Sequence, residues 1–235
     1  LRRQRQMCIR DRARGLINFD GDPRSHERPI GPVIKALEDL GAIINHDNKY
    51  SLPMTINGNG SLNGGVIEVD ASASSQFISS LMMVGSKCKN GLTIINKSSE
   101  LPSMPHIQMT IAALADFGVK VEVNRIENRT SWKINPTTYS GIEKIIEPDL
   151  SNAAPFMAAA IATNGEVNIR HWPKQTTQAG DFLREIFTDM GASVKFTNEG
   201  LKISGTGKIL GIDRDLHDVG ELTPSIAALA CLATT

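Results

Sequence analysis

Two patterns alternate along this chain, and a chain that repeats itself in this way must bury its copies against one another. Three segments open on Asp: Asp70 to Ile78 (DASASSQFI), Asp149 to Met157 (DLSNAAPFM) and Asp218 to Ile226 (DVGELTPSI). Each runs into a small and apolar stretch of helical character. Between them lies a second set, Arg28 to Ala42, Pro105 to Val119 and Gln178 to Ala192. In its first copy Ile30, Val33, Ile34, Leu37 and Leu40 fall at helical spacing and stop at Gly41, which suits a C′ cap. Ile107, Ile111, Leu114 and Phe117 repeat that stripe before Gly118, and Leu183, Ile186, Phe187 and Met190 give a shifted version before Gly191. One such unit cannot bury its own apolar face, so neighbouring copies must cover it.

Strand patterns fill the gaps. Val66 to Val69 precedes one Asp segment, Val119 to Val123 follows a Gly, and Trp132 to Ile134 comes after a turn. The repeating unit is thus a helix, a strand, a second helix and a strand pair, which predicts an α/β fold.

The three Asp segments differ where it matters. Ser74, Ser75 and Gln76 in the first copy are replaced by Ala153, Ala154 and Pro155 in the second and by Leu222, Thr223 and Pro224 in the third. Hydroxyls and an amide at a helix entrance are suited to an anion, because the first backbone N–H groups are unpaired and the macrodipole is positive there. Ordinary N-capping is the competing reading. A cap alone would not require the copies to differ, and the two readings stand about even on the residues.

Composition bounds the function. The 235 residues are 40% hydrophobic, enough for a sizeable core in one large or two modest domains. Net charge is zero and the pI is near 7.1, which leaves no basic excess for nucleic acid or a membrane surface. The longest apolar stretch, Ala153 to Ala162, is too short to cross a bilayer and contains Pro155. Residues 1–12 (LRRQRQMCIRDR) lack periodicity, and MCIRDR resembles the translation of a sequencing-library adapter, so a non-native leader is expected. Without it 20 basic and 24 acidic residues remain, a net of −4, which suits a cytoplasmic protein. Cys88 and Cys231 have no metal or disulfide spacing. Cys231 is expected in the core and Cys88 in a loop between a helix and a strand. The Gly/Asn stretch from Asn57 to Gly65 lacks the Lys-Ser/Thr ending of a phosphate loop and reads as a turn between strands.

A family resemblance rests on several of these motifs in order. Gly21 to Ile30 (GDPRSHERPI), Asp70 to Phe77, Leu101 to Thr110 (LPSMPHIQMT) and Asp218 to Pro224 (DVGELTP) resemble successive signatures of the 5-enolpyruvylshikimate-3-phosphate synthase family. Glu147 to Pro155 (EPDLSNAAP) and Trp172 to Asp181 (WPKQTTQAGD) resemble its actinobacterial branch. The resemblance runs from about Ala13 to Thr235 and covers roughly the middle half of the family's chain. It implies a two-domain fold of repeated βαβαββ units, with residues 13–147 in the first domain and residues 148–235 in a second, truncated one. The family transfers the enolpyruvyl group of phosphoenolpyruvate to the 5-hydroxyl of shikimate 3-phosphate and releases phosphate. No metal or organic cofactor is implied, and a monomer is expected.

Carried over position by position, Ser74, Ser75 and Ser103 resemble the residues that hold the substrate's 3-phosphate. Gln76 resembles the amide between the two substrates. Arg28 matches the arginine that grips the phosphoenolpyruvate anion, a task for a planar guanidinium fork. At a helix start such a cation meets a small dipole penalty, which is itself a hint of function. Glu221 matches the general base that takes the proton from the 5-hydroxyl, although many members have Asp there. His106 stands where other members carry Tyr, near the shikimate ring. For Ser103 a helix cap before Pro105, and for Glu221 a first-turn acid favoured by the dipole, are the purely structural readings.

Departures from the family pattern matter for activity. Its N-terminal Lys/Ser/Arg segment and its later Lys-Glu-x-x-Arg segment have no match here, so the polypeptide as given is expected to be inactive alone. Two rivals stay open. The cell-wall enolpyruvyl transferase acting on UDP-N-acetylglucosamine shares the repeat, but its loop carries a Cys five residues before the Arg-Pro pair, where this chain has Pro23. A non-catalytic anion-binding module using the Ser-rich entrance is the other.

Overall fold

Glycine placed after a helical stripe decides where three helices of this protein stop. The computed structural model describes residues 14–98, 101, 103–126 and 129–234, so the expected leader lies outside the described residues. Helices α2 (Gly31–Asp39), α4 (Met104–Asp116) and α6 (Leu183–Asp189) are followed by Gly41, Gly118 and Gly191 at φ of +94°, +80° and +92°. Gly41 N–H donates to the Glu38 carbonyl and Ala42 N–H to Leu37 at 2.8 and 2.9 Å. Gly118 and Val119, and then Gly191 and Ala192, repeat the same two bonds. This is a Schellman ending in three copies, and an L side chain would strain it each time. The stripes of α2 and α6 are buried, at Val33, Ile34 and Leu37 and at Leu183, Ile186 and Phe187, whereas on α4 only Ile107 and Leu114 are: Ile111 is half-buried and Phe117, at the helix end, is exposed.

The molecule falls into two units that part between Ile142 and Glu143. In the first unit, β4 (Gly65–Val69), α3 (Gln76–Gly85), β5 (Leu92–Asn96), α4, β6 (Val121–Ile126) and β7 (Arg129–Ile134) form one complete βαβαββ unit. Its sheet has the order β4-β5-β7-β6, with β4 and β5 parallel and the other pairs antiparallel. Ahead of it, β1 (Arg14–Phe19), the short α1 (Pro23–His26), α2, β2 (Ile43–Asn45) and β3 (Met54–Asn59) make a sheet ordered β1-β3-β2. The last helix and strand pair of each repeat therefore have the same layout. The strand expected from Val119 begins at Val121, because Val119 N–H is spent on closing α4. Trp132, Phe77, Ile34, Leu37 and Ile56 are among the largest fully buried side chains of this unit's core. The turn expected over Asn57 to Gly65 is shorter: Asn57 to Asn59 finish β3, Gly65 opens β4, and only residues 60–64 connect them.

In the second unit α5 (Leu150–Ala162), β8 (Glu166–Arg170), α6, β9 (Ser193–Phe196) and β10 (Gly200–Ser204) repeat the pattern, with the sheet ordered β8-β10-β9. A 3₁₀ turn over His217–Leu222 leads into α7 (Thr223–Ala230). Its core holds Leu150, Met157, Phe187, Met190, Leu201 and Leu222. Cys231 corrects the sequence reading: it is exposed. Ile226 and Leu229 take the buried face of α7, while Ala227, Ala228 and Cys231 lie on the face left open. Cys88 occupies the turn before β5 as expected, and there it is buried with its Sγ 3.7 Å from the Val84 carbonyl oxygen.

Candidate anion site at two helix entrances

Helices α3 and α4 both start where a strand of the parallel pair ends, so their N-termini emerge at the carboxyl edge of β4 and β5. That edge is where open α/β sheets bind ligands. Asn96, the last residue of β5 and only 1% exposed, fastens it. Its Oδ1 accepts the Ala71 N–H at 3.3 Å and its Nδ2 donates to the Ser98 carbonyl at 2.7 Å. Nothing in the sequence beyond an Asn closing an apolar run pointed to this residue, because its partner lies 25 positions away.

Past Ala71 the chain does not enter the helix at once. Asp70 Oδ1 accepts both the N–H and the hydroxyl of Ser72, at 3.0 and 2.6 Å. That hydroxyl and then that N–H hold the Asp70 carboxyl below the usual carboxylate range. Ser74 Oγ accepts the Gln76 N–H at 3.2 Å. Ser75 already has helical angles, is 3% exposed, and makes no side-chain cap bond. The capping reading thus fits Ser74, whereas Ser75, a buried residue, stands at the mouth of α3 with a hydroxyl that makes no cap bond. Gln76 is half-buried as the first residue of the helix.

The second entrance is built differently. Ser103 stands at the N-cap position of α4 in the left-handed region, at φ +56° and ψ +48°, and its side chain makes no cap bond. A β-carbon in that region costs on the order of 1 kcal/mol, and such outliers gather at functional sites. The competing reading of Ser103 as a simple cap is not what the geometry shows. His106 lies one turn on, half-buried, with its N–H on the Ser103 carbonyl at 3.0 Å. The structure therefore brings Ser74, Ser75, Gln76, Ser103 and His106 to the starts of two helices that pack side by side.

Arg28 belongs to the same unit, on the connection from β1 to α2. It is exposed, and it lies two residues before the N-cap Ile30, outside the first turn where the dipole penalty was expected. Neighbouring side chains shape its segment: Asp22 caps Ser25 at 2.9 Å, and His26 Nε2 lies 2.7 Å from Asp20 Oδ1. The Gly21 N–H and then His26 hold the Asp20 carboxyl below the ordinary carboxylate value. Glu221 lies in the second unit, exposed in the 3₁₀ turn ahead of α7. Asp149 and Asp70 both serve their own helix entrances. Among the described residues no group of three or more His, Cys, Asp or Glu side chains is placed to hold a metal ion. No helix among them is long and apolar enough to cross a membrane.

An uncommitted hydroxyl, a second serine on a strained backbone and two helix dipoles form an arrangement that favours an anion. Comparison with known proteins shows the family. The model of the family "EPSP synthase (3-phosphoshikimate 1-carboxyvinyltransferase)" matches residues 6–235. A 3-phosphoshikimate 1-carboxyvinyltransferase of Kocuria rhizophila is 40% identical over 221 residues, covering 94% of this chain and 49% of its own. The solved EPSP synthase from Acinetobacter baumannii superposes with a TM-score of 0.66 at 23% identity, over 95% of this chain and 51% of that one. The enolpyruvyl transferase NikO from Streptomyces tendae does so at 0.65 and 13%, over 97% of this chain and 53% of its own. These two share the fold. The chain spans about half the length of the curated relative it matches, and it belongs to the EPSP synthase family.

Proposed function

We propose that this chain forms part of a transferase site that moves the enolpyruvyl group of phosphoenolpyruvate onto the 5-hydroxyl of shikimate 3-phosphate. The observation that carries the reading is the Ser75 hydroxyl, held at the mouth of α3 by an otherwise buried residue and free of any capping duty. In this reading Ser74, Ser75 and Ser103 donate to the 3-phosphate while the dipoles of α3 and α4 add their positive ends. Gln76 lies between the two substrates and His106 reaches the shikimate ring. Arg28, outside the helix and exposed, is disposed to fork onto the phosphoenolpyruvate anion. Glu221 takes the proton of the attacking hydroxyl, whose oxygen bonds to the enolpyruvyl carbon, and that carbon's bond to the phosphate oxygen then breaks to release inorganic phosphate. The protein works as a cytoplasmic monomer, in keeping with its acidic balance outside residues 1–12.

Calorimetric titration of the chain tests this directly. Shikimate 3-phosphate is expected to bind in preference to a panel of phosphosugars and to UDP-N-acetylglucosamine. Preference for the UDP-sugar, or equal binding of all the anions, overturns it.

A further inference from the structure

One polar contact joins α3 to α4 below their entrances. Ser79, buried on α3, comes one turn after Ser75, and Thr110 on α4 comes one turn after His106. Thr110 Oγ1 lies 3.0 Å from Ser79 Oγ and 2.9 Å from the His106 carbonyl oxygen. A carbonyl only accepts, so the Thr110 proton goes to His106 and the Ser79 hydroxyl supplies the other hydrogen bond. The adjacent Ser80 spends its hydroxyl inside its own helix, on the Phe77 carbonyl at 3.0 Å. Ser79 is thus the serine of α3 that reaches the neighbouring helix.

The other buried side chains of these helices include Phe77, Ile78, Leu81 and Met82 on one, and Ile107 and Leu114 on the other. Apolar burial is non-directional and tolerates sliding along a helix axis, whereas a hydroxyl pair at 3.0 Å does not. We propose that Ser79 and Thr110 are positioning residues, fixing the axial register of α3 against α4 and hence the spacing of the two entrances that share one phosphoryl group. This rests on the anion-site reading of Ser75 and Ser103. Register matters there because a displacement of about 1 Å is enough to cost a geometry-dependent site most of its advantage.

The test is titration of shikimate 3-phosphate into the whole chain, well below its unfolding temperature, with thermal unfolding followed alongside. Thr110→Val and Ser79→Ala are each expected to weaken binding about tenfold, the worth of one lost hydrogen bond. The double variant should be no weaker than either single one, since both remove the same contact. Thr110→Ser keeps the hydroxyl and should restore affinity, which a purely space-filling role for the threonine methyl would not allow. Ser79→Ala leaves the Thr110 bond to His106 in place, so it stays informative if Thr110→Val unfolds the chain. Wild-type affinity in both hydroxyl-deleting variants, or a Thr110→Ser variant as weak as Thr110→Val, overturns the proposal. If the wild-type chain itself fails to bind, the anion-site reading falls and the positioning role with it.

Discussion

The entrances after Asp70 and Asp149 start from the same acid and end in opposite uses. Both place Ser two positions on, and both give the next residue's N–H to a distant side-chain amide: Ala71 to Asn96 at 3.3 Å, Leu150 to Gln178 at 3.0 Å. They part at the third position. Asn152 donates its N–H to Asp149 Oδ1 at 3.0 Å and its amide to Oδ2 at 2.9 Å, which makes an N-cap, and α5 starts at Leu150. Ala73 lacks the side-chain amide of Asn152, and the Asp70 carboxylate bonds to Ser72 instead and closes an Asx-type turn. Helix α3 then begins only at Gln76. Delaying the helix places Ser74 and Ser75 ahead of it, where the second copy has Ala153 and Ala154 inside one. The same acid thus builds a cap in one copy and, in the other, a loop with hydroxyls at its end.

This contrast can be broken by experiment. If the Asp149 entrance is tuned for packing, Gly180 is its most sensitive point, because a β-carbon there would lie 2.5 Å from the Leu150 carbonyl carbon and the Ser151 nitrogen. Gly180→Val should destabilise the second unit by about 3 kcal/mol in denaturant unfolding, the upper range for overpacking. The amide braces come next. Gln178→Leu and Asn96→Leu each orphan a buried N–H and should each cost about 2 kcal/mol in the same assay. An effect at one site alone would end the parallel between them. The caps themselves differ: Asp149→Ala should lower stability by about 1 kcal/mol without changing anion affinity.

The smallest effect is one of acidity. Burial pushes the Asp181 carboxyl up, but the Arg184 guanidinium and then the Trp172 indole N–H hydrogen-bond it and hold it below its usual 3.8. A depressed folded-state value stabilises fully above the unfolded carboxyl's pKa and loses that contribution as pH falls through the folded one. The second unit's stability should thus decline below about pH 4. Asp181→Asn should flatten that acid limb while lowering stability at neutral pH, as followed by unfolding midpoints between pH 7 and 3.

What could be read from the chain was local. The Schellman glycines follow their stripes directly, and Ser74, Ser75 and Gln76 stand out by contrast with copies only a sequence comparison away. Asn96, Gln178 and the Ser79–Thr110 pair were invisible because each acts on a residue 25 to 31 positions distant. The left-handed Ser103 likewise carries no signal, since nothing about a serine before Met-Pro dictates a positive φ. Cys231 was misplaced for the same reason: its neighbours are all apolar, but which face of α7 is covered is a tertiary fact.

The central claim is that the delayed start of α3 exists to present hydroxyls to a phosphoryl group. The direct measurement is the affinity of shikimate 3-phosphate for the chain with Ser74 and Ser75 both changed to Ala, set beside its unfolding midpoint. Loss of at least about tenfold in affinity with stability kept within about 0.5 kcal/mol is the expected result. Unchanged affinity would contradict the claim.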